Sequence, residues 1–216
     1  MRSQIFSFPF DPNPLKDILI LFAHPKLEHS RVNSELIKAA SQVEGVYVHD
    51  LYEQYPDFNI DIVKEQELLF GYEVVIWHHP FYWYSCPPLL KQWIDLVLEY
   101  NWAYGPNAIV LKGKTILNAI TAGGSREVYC TEGRNNFTVS EFLRPFEQTA
   151  NLCGMNYLPP FAVMGTHRIE EDGIKVAAQQ YVRLLEALRN DDVDAKARDK
   201  CTFINDLEFV KGVNHD

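Results

Sequence analysis

The sequence has few cysteines, no long apolar run and no excess of positive charge. Its four cysteines, Cys86, Cys130, Cys153 and Cys201, lie far apart with no C-x-x-C pair, which argues against a zinc knuckle and a disulfide framework. No apolar run reaches the roughly 20 residues that a transmembrane helix needs. The net charge of −9 argues against nucleic acid or an anionic membrane as the main partner. We therefore expect a cytoplasmic protein with reduced thiols.

Two common phosphate-binding motifs are also missing from the chain. There is no G-x-x-x-x-G-K-[ST] sequence and no G-x-G-x-x-G sequence. The first absence excludes a P-loop and the second a standard dinucleotide-binding turn. Any phosphorylated ligand must therefore be held by another arrangement.

The chain is long enough for one large α/β domain with a full core, because it has 216 residues. We expect an irregular N-terminal arm over 1–16, a single domain over 17–188 and a charged C-terminal tail over 189–216. The tail has one apolar cluster that could pack either on the domain or on a partner. Its members are Phe203, Ile204, Leu207 and Phe209.

Five short apolar runs alternate with helical patterns along the domain. The runs lack alternation, which predicts strands buried on both faces, at 17–22, 46–50, 73–77, 115–120 and 161–164. Helices are predicted over 31–42, 62–70, 88–99, 139–153 and 175–188. The alternation predicts an α/β fold with a flavodoxin-like, doubly wound, five-stranded parallel sheet of order 2-1-3-4-5. In such a sheet a ligand binds beyond the carboxyl ends of the strands, where the strand order reverses.

The turn after the first strand contains His24 and ends at Ser30, which is placed to N-cap the helix beginning at Arg31. A helix N-terminus presents free N–H groups and about half a positive charge, so it can hold a phosphate. The alternative is that Ser30 only caps the helix and that Asn33 is an exposed helix residue.

Four consecutive aromatic residues, Phe81, Tyr82, Trp83 and Tyr84, follow the third strand. Some could belong to the core, but at this position they also indicate contact with a flat ring. A metal site is the alternative, and we expect none, because no carboxylate or cysteine lies at a recognisable ligand spacing. The histidines concerned are His24, His29, His78 and His79.

The turn after the fourth strand consists of small residues, Thr121, Ala122, Gly123 and Gly124, which allow the backbone to approach a ligand closely. An ordinary glycine turn is the alternative. Tyr129 follows on a long loop, either above the ligand or as a surface residue. The three turns converge on one crevice, and together they indicate a phosphorylated planar aromatic ligand such as flavin mononucleotide (FMN).

The chain resembles the flavodoxin-like NAD(P)H:quinone oxidoreductases from about Asp17 to Leu188. It is especially similar to the ancillary proteins of bacterial glutathione-regulated potassium-efflux systems. The segments that carry the similarity are "AHP…HSRVN", "DLYEQYPDFNIDI", "HPFYWYSCPPLLKQWID", "WAYG", "TAGG" and "LRPFEQTANLCGM".

This resemblance implies bound FMN, with FAD as the alternative, NAD(P)H as co-substrate and a quinone or similar electrophile as acceptor. It implies a homodimer with its active site near the subunit interface. A flavin-binding regulatory subunit, docked on a potassium-efflux transporter at the inner membrane, is the alternative function. The implied cofactor contacts are His24, Ser30, Arg31, Val32, Asn33, Phe81, Tyr82, Trp83, Tyr84, Thr121, Ala122, Gly123 and Gly124.

Two positions depart from the family pattern. Tyr129 matches a tyrosine that assists the reduced flavin in the quinone reductases, but the histidine that accompanies it would fall near Arg134 and Asn135. No histidine stands there, so a complete proton relay is not expected. The glycine turn reads Thr121-Ala122 instead of Thr-Thr, which removes one hydroxyl.

Overall fold

A computed structural model of the protein describes residues 15–193 and 201–211. Its centre is a parallel sheet of order β2-β1-β3-β4-β5, with β6 also paired to β4. The predicted flavodoxin-like order is confirmed. The strands are β1 (Ile18–Phe22), β2 (Val46–Asp50), β3 (Val74–Pro80), β4 (Thr115–Ala122), β5 (Asn156–Tyr157) and β6 (Phe161–Met164).

Helices cover both faces of the sheet, as expected for strands without apolar–polar alternation. On one face α1 and α7 pack together, and on the other α3 and α4 do so beside α5 and α6. The α-helices of the described ranges are α1 (Arg31–Ala40), α2 (Leu51–Gln54), α3 (Ile62–Phe70), α4 (Pro88–Val97), α5 (Val139–Phe142), α6 (Arg144–Leu152), α7 (Glu171–Arg189) and α8 (Glu208–Lys211).

The fifth position of the sheet is split, so the sheet has six strands where five are predicted. Both β5 and β6 pair with β4, at its beginning and at its end. The ladder continues as far as Leu158, whose N–H donates to the carbonyl of Ile116 (2.8 Å). Pro159 and Pro160 then interrupt it, because proline has no N–H to donate.

Several element boundaries also differ from the prediction. The helix expected over 139–153 is two helices, and α6 has Pro145 in its first turn, where proline is tolerated. Strands β3 and β4 run on to Pro80 and Ala122. Thr121 and Ala122 are therefore strand residues, and the small-residue turn begins at Gly123.

Residues Cys201 to Lys211, called here the C-terminal segment, pack on the domain. Ile204 and Val210 are fully buried against α7 and the sheet. Of the two alternatives for the apolar cluster of the tail, packing on the domain or on a partner, the structure shows packing on the domain. Of the predicted arm and tail, residues 1–14, 194–200 and 212–216 lie outside the described residues.

Among the helices of residues 15–193 and 201–211, none has both the length and the apolarity to cross a bilayer.

Candidate functional site

A cavity of about 420 Å³ lies at the carboxyl ends of β1, β3 and β4. This is the edge of the sheet where the strand order reverses, between β1 and β3. All three predicted turns contribute to its wall. The predicted site residues that line it are His24, Ser30, Arg31, Val32, Asn33, Phe81, Tyr82, Thr121 and Gly123.

The N-terminus of α1 forms one side of the cavity. Ser30 caps the helix, its Oγ accepting from the N–H of Asn33 (3.3 Å), and the first intrahelical bond runs from Ser34 N to Ser30 O (3.0 Å). The N–H groups of Arg31 and Val32 have no acceptor among the described residues. Open amides at a helix N-terminus suit an anion.

Behind this turn, Asn33 is only 2 % exposed and anchors a chain of buried hydrogen bonds. Its Nδ2 donates to Ser30 Oγ (2.9 Å) and Thr121 Oγ1 (2.9 Å), which leaves Oδ1 to accept from His78 Nε2 (3.1 Å). The other ring nitrogen, Nδ1, then accepts from the Tyr181 hydroxyl (3.1 Å). Asn33 is thus neither an exposed helix residue nor free to turn its amide toward a ligand.

This chain of bonds determines what the cavity offers a ligand. Burial, reinforced by the neighbouring His79 and His24, lowers the pKa of His78 to about 3, so the ring is neutral, as the hydrogen-bond directions require. Because Ser30 Oγ and Thr121 Oγ1 each accept from Asn33, their own O–H groups are free to donate elsewhere. Both residues line the cavity, and we infer that it presents two hydroxyl donors.

His24 adds a further donor at the same end. Burial lowers its pKa despite the nearby carboxylate of Glu28, so the ring is neutral at neutral pH. Its Nδ1 accepts from the N–H of Lys26 (3.1 Å), which leaves the proton on Nε2. The side chain is 6 % exposed and packs edge-on against Tyr82, with ring centroids 6.1 Å apart.

The aromatic residues after β3 divide into two groups. Phe81 is buried and Tyr82 half-exposed, and both line the cavity. Trp83 and Tyr84 stand outside the wall, in a turn where both have positive φ, +49° and +64°. Such a turn favours glycine or asparagine, and each such residue costs on the order of 1–3 kcal/mol. It leaves Trp83 93 % exposed beside the cavity.

The two glycines after β4 are explained by close neighbours. A Cβ on Gly123 would lie 2.2 Å from Nε2 of His167, and one on Gly124 would lie 2.9 Å from the ring of Tyr129. Both side chains therefore pack directly on the glycine backbone. Ala122 and Gly124, which were expected at the cofactor, do not line the cavity itself.

Tyr129 is partly buried and belongs to an aromatic cluster. Its ring meets Phe81 (5.7 Å between centroids) and Phe142 (6.3 Å), both edge-on. It does not line the cavity itself but packs on Phe81, which does. Burial, with a contribution from nearby Tyr84, raises the pKa of Tyr129, so its hydroxyl stays protonated at neutral pH.

Four residues with polar side chains were missed by the sequence prediction as part of this wall. Lys26 and His29 belong to the first turn, and Thr166 and His167 follow β6. The last pair could have been found by treating the end of the fifth strand like the ends of the first, third and fourth. Lys26 and Arg31 give the cavity a basic rim despite the acidic chain.

The histidines considered for a metal site serve other roles. His79 is fully buried; its Nδ1 lies 3.0 Å from the carbonyl of Pro80 and its Nε2 3.0 Å from the amide of Asn118. Within 15–193 and 201–211, no three His, Cys, Asp or Glu side chains are grouped to hold a metal ion.

Comparisons with known proteins agree with this architecture. The chain is 42% identical over 170 residues to the glutathione-regulated potassium-efflux system ancillary protein KefF of Klebsiella aerogenes, covering 76% of this chain and 92% of that protein. It is 39% identical to general stress protein 14 of Treponema denticola, solved in complex with FMN, with a TM-score of 0.77 and coverage of 80% and 99%.

A third match is an NADPH-quinone reductase from P. pentosaceus, 32% identical, with a TM-score of 0.72 and coverage of 78% of this chain and 97% of that one. The sequence profile of the flavodoxin-like fold family matches residues 16–185. The profile covers most of the chain, and the strand order and the position of the cavity agree with it. The protein therefore belongs to the flavodoxin-like fold family.

Proposed function

We propose that the protein is an FMN-dependent NAD(P)H oxidoreductase that transfers two electrons to a quinone or similar electrophile. The observation that carries this proposal is the cavity at the sheet's switch point, which is lined by hydrogen-bond donors on one side and aromatic rings on another. A phosphorylated sugar chain joined to a flat ring needs both kinds of wall. Two relatives support the same assignment: one was solved in complex with FMN, and another is named an NADPH-quinone reductase.

The donors of the α1 end would hold the phosphate and sugar hydroxyls of FMN. They are the open amides of Arg31 and Val32, the hydroxyls of Ser30 and Thr121, and His24 Nε2. Phe81 and Tyr82 with the turn at Gly123 would hold the ring. These donors are uncharged. The positive charges of the basic rim would balance a dianionic phosphate. FAD remains the alternative cofactor.

Bound FMN would supply the chemistry of accepting a hydride from NAD(P)H and passing two electrons to the acceptor. The protein's part is to orient the reactants and to stabilise negative charge where it develops. The protonated Tyr129 hydroxyl and the backbone amides of Gly123 and Gly124 are the donors we assign to that task. The strained turn would place Trp83 and Tyr84 against the flavin ring or against the electron acceptor.

The histidine that would complete the family's proton relay with Tyr129 has no counterpart at Arg134 or Asn135. Asn135 occupies the region where the family's histidine would fall, and its Oδ1 accepts a hydrogen bond from the Tyr84 hydroxyl (3.3 Å). An amide exchanges no proton at neutral pH. Tyr129 therefore acts as a hydrogen-bond donor and not as half of an acid–base pair.

Reductase activity can be tested with one pair of matched serine variants. The purified protein should oxidise NADPH in the presence of a quinone, and Ser30→Ala should lower the activity at limiting FMN. Ser41→Ala is the control, because Ser41 lies at the other end of α1 with its hydroxyl on the carbonyl of Lys38 (2.9 Å). The absence of NADPH oxidation by the FMN-loaded protein with any quinone would contradict the proposal.

We also infer that the protein forms a homodimer around the exposed Trp83. An almost fully exposed tryptophan beside a cavity is typical of a surface that a partner covers. Trp83→Ala should therefore shift the sedimentation equilibrium of the protein toward monomer. An unchanged association constant would place the dimer contact elsewhere.

A second function, docking on a potassium-efflux transporter, is favoured by the similarity to an efflux-system ancillary protein over 92% of that protein. It is compatible with reductase activity. Co-purification of the protein with the cytosolic part of such a transporter, compared with an unrelated flavodoxin-fold protein, tests it directly.

A further inference from the structure

The C-terminal segment, Cys201–Lys211, lies beyond the part of the chain that matches the family. The family profile ends at residue 185. The relatives described above are nevertheless covered over 92%, 97% and 99% of their own lengths. The segment is therefore an addition to the shared domain, and its contacts are not explained by the fold.

The segment is anchored along the free edge of β6. Asn205 Oδ1 accepts from the N–H of Ala162 (2.8 Å), and Ile204 N donates to the carbonyl of Pro160 (3.0 Å). At its far end Arg183 of α7 donates to the carbonyls of Val210 (3.2 Å) and Lys211 (2.9 Å). The two bonds at Ala162 and Pro160 satisfy backbone groups that the edge of the sheet leaves unpaired.

From this anchor two side chains reach the loop after β4. Nη1 of Arg126 lies 2.9 and 3.1 Å from the two carboxylate oxygens of Asp206. The guanidinium carbon of Arg126 stands 4.5 Å from the ring centroid of Phe203, which is 7 % exposed. Arg126 is therefore held by a charge pair and a cation–π contact at once.

Arg126 belongs to the short 3₁₀ helix that leads into Tyr129. Its carbonyl accepts from the N–H of Tyr129 (3.0 Å), and the Tyr129 ring packs on Gly124 and Phe81. Phe81 in turn lines the cavity. A continuous set of contacts thus joins the segment to the cavity wall.

We propose that Asp206 and Phe203 are positioning residues, which act through Arg126 to hold Tyr129 against Phe81 of the cavity wall. The proposal rests on the reductase function inferred above. Without the segment, the loop from Ser125 to Thr138 would be fastened mainly by its own turns and by the Tyr129 cluster. The extra chain thereby fixes a donor that lacks the family's histidine at 134–135.

The first test measures the loop and needs no activity. Hydrogen exchange of peptides covering 125–138 should speed up severalfold in Asp206→Asn and in Phe203→Leu. The matched control is Asp172→Asn, which removes a similar surface ion pair (Lys175 Nζ to Asp172 Oδ1, 3.3 Å) on α7. Unchanged exchange in both segment variants would overturn the proposal, whatever the protein catalyses.

The second test measures rate and is a double-mutant cycle. Since the contacts to Arg126 are partly exposed, Asp206→Asn should slow reduction of the bound flavin by NADPH about fivefold without changing FMN affinity. In a Tyr129→Phe background the same change should have almost no effect, because both act through one hydroxyl. Equal slowing in both backgrounds would show a general structural effect and contradict the positioning role.

Discussion

Asn33 fixes both sides of the cavity through one buried amide. It holds the Ser30 hydroxyl on α1 and the Thr121 hydroxyl on β4, each at 2.9 Å. Its sequence neighbourhood indicated only a helix start near a phosphate, because two of the three partners of its side chain lie 45 and 88 residues away. Residue type and turn position were predictable, whereas the buried network that orients them was not.

The serine and the asparagine should therefore behave differently when each is replaced. Ser30→Ala removes a cap and should lower the free energy of unfolding by about 1 kcal/mol. Asn33→Ala also leaves His78 Nε2 and Thr121 without their partner, and should cost about 2–3 kcal/mol. Urea unfolding of the cofactor-free variants measures both. Equal losses would mean that the network contributes nothing beyond the cap.

Tyr129 offers a rate prediction at the same scale. Tyr129→Phe keeps the ring in its cluster and removes only the donor. Flavin reduction by NADPH should slow by roughly one order of magnitude, about 1.4 kcal/mol in barrier height, with cofactor binding unchanged. Stopped-flow bleaching of the flavin gives the rate. If the rate stays the same, the amides of the glycine turn are the stabilising donors.

A substitution at Gly123 tests the part of the cavity wall formed by His167, which the sequence prediction missed. Gly123→Ala places a methyl group where His167 now packs, at 2.2 Å from Nε2, so the ring must move and the cavity must change shape. We expect FMN to bind at least tenfold more weakly, ~1.4 kcal/mol. Adding His167→Ala should restore most of the affinity, and a failure of that rescue would place the obstruction elsewhere.

At the scale of elements, β2, α2, α3 and α4 meet around one buried carboxylate. Glu65 is 0 % exposed and accepts from His49 Nε2 (2.8 Å), the Tyr55 hydroxyl (2.5 Å) and Trp93 Nε1 (2.8 Å). Burial alone would raise the pKa of Glu65, but these hydrogen bonds outweigh it and hold the pKa below its usual value. The cluster lies on the face of the sheet opposite α1 and α7.

Stability should therefore depend on pH through Glu65. Since the folded pKa is lower than the unfolded one, this contribution is fully present above about pH 5 and is lost as the pH falls through the folded pKa. Glu65→Gln turns an amide donor toward groups that all donate, and should cost about 3 kcal/mol at neutral pH. Unfolding of wild type and variant between neutral and acidic pH should show the gap narrowing in acid. A constant gap would mean that the carboxylate is not ionised.

Helices and strands were predicted correctly where the spacing of apolar residues stayed regular along the whole element. The helix expected over 62–70 has those bounds, and the strand order follows from the alternation alone. It failed at proline-rich positions, at the split between β5 and β6 and between α5 and α6. A local pattern does not tell whether proline ends an element or only interrupts a ladder that a neighbour continues.

At the scale of the whole molecule, the site arises because topology gathers the ends of the strands. The three turns were predictable, since each follows a recognisable strand and the order 2-1-3-4-5 brings them together. Thr166 and His167 were overlooked because the turn after the short fifth strand was not included in the predicted site. Docking of the C-terminal segment stayed one of two alternatives, because a segment without a periodic pattern does not show what it packs against. The roles of the site residues toward FMN stay predictions.

The mass and absorption of the cofactor released from the purified protein test the central claim most directly. We expect a yellow protein that releases FMN in stoichiometric amount and whose colour NADPH bleaches anaerobically. Release of FAD would keep the fold and the reductase function but change the cofactor. A colourless protein that takes up no flavin when incubated with excess FMN would contradict the account.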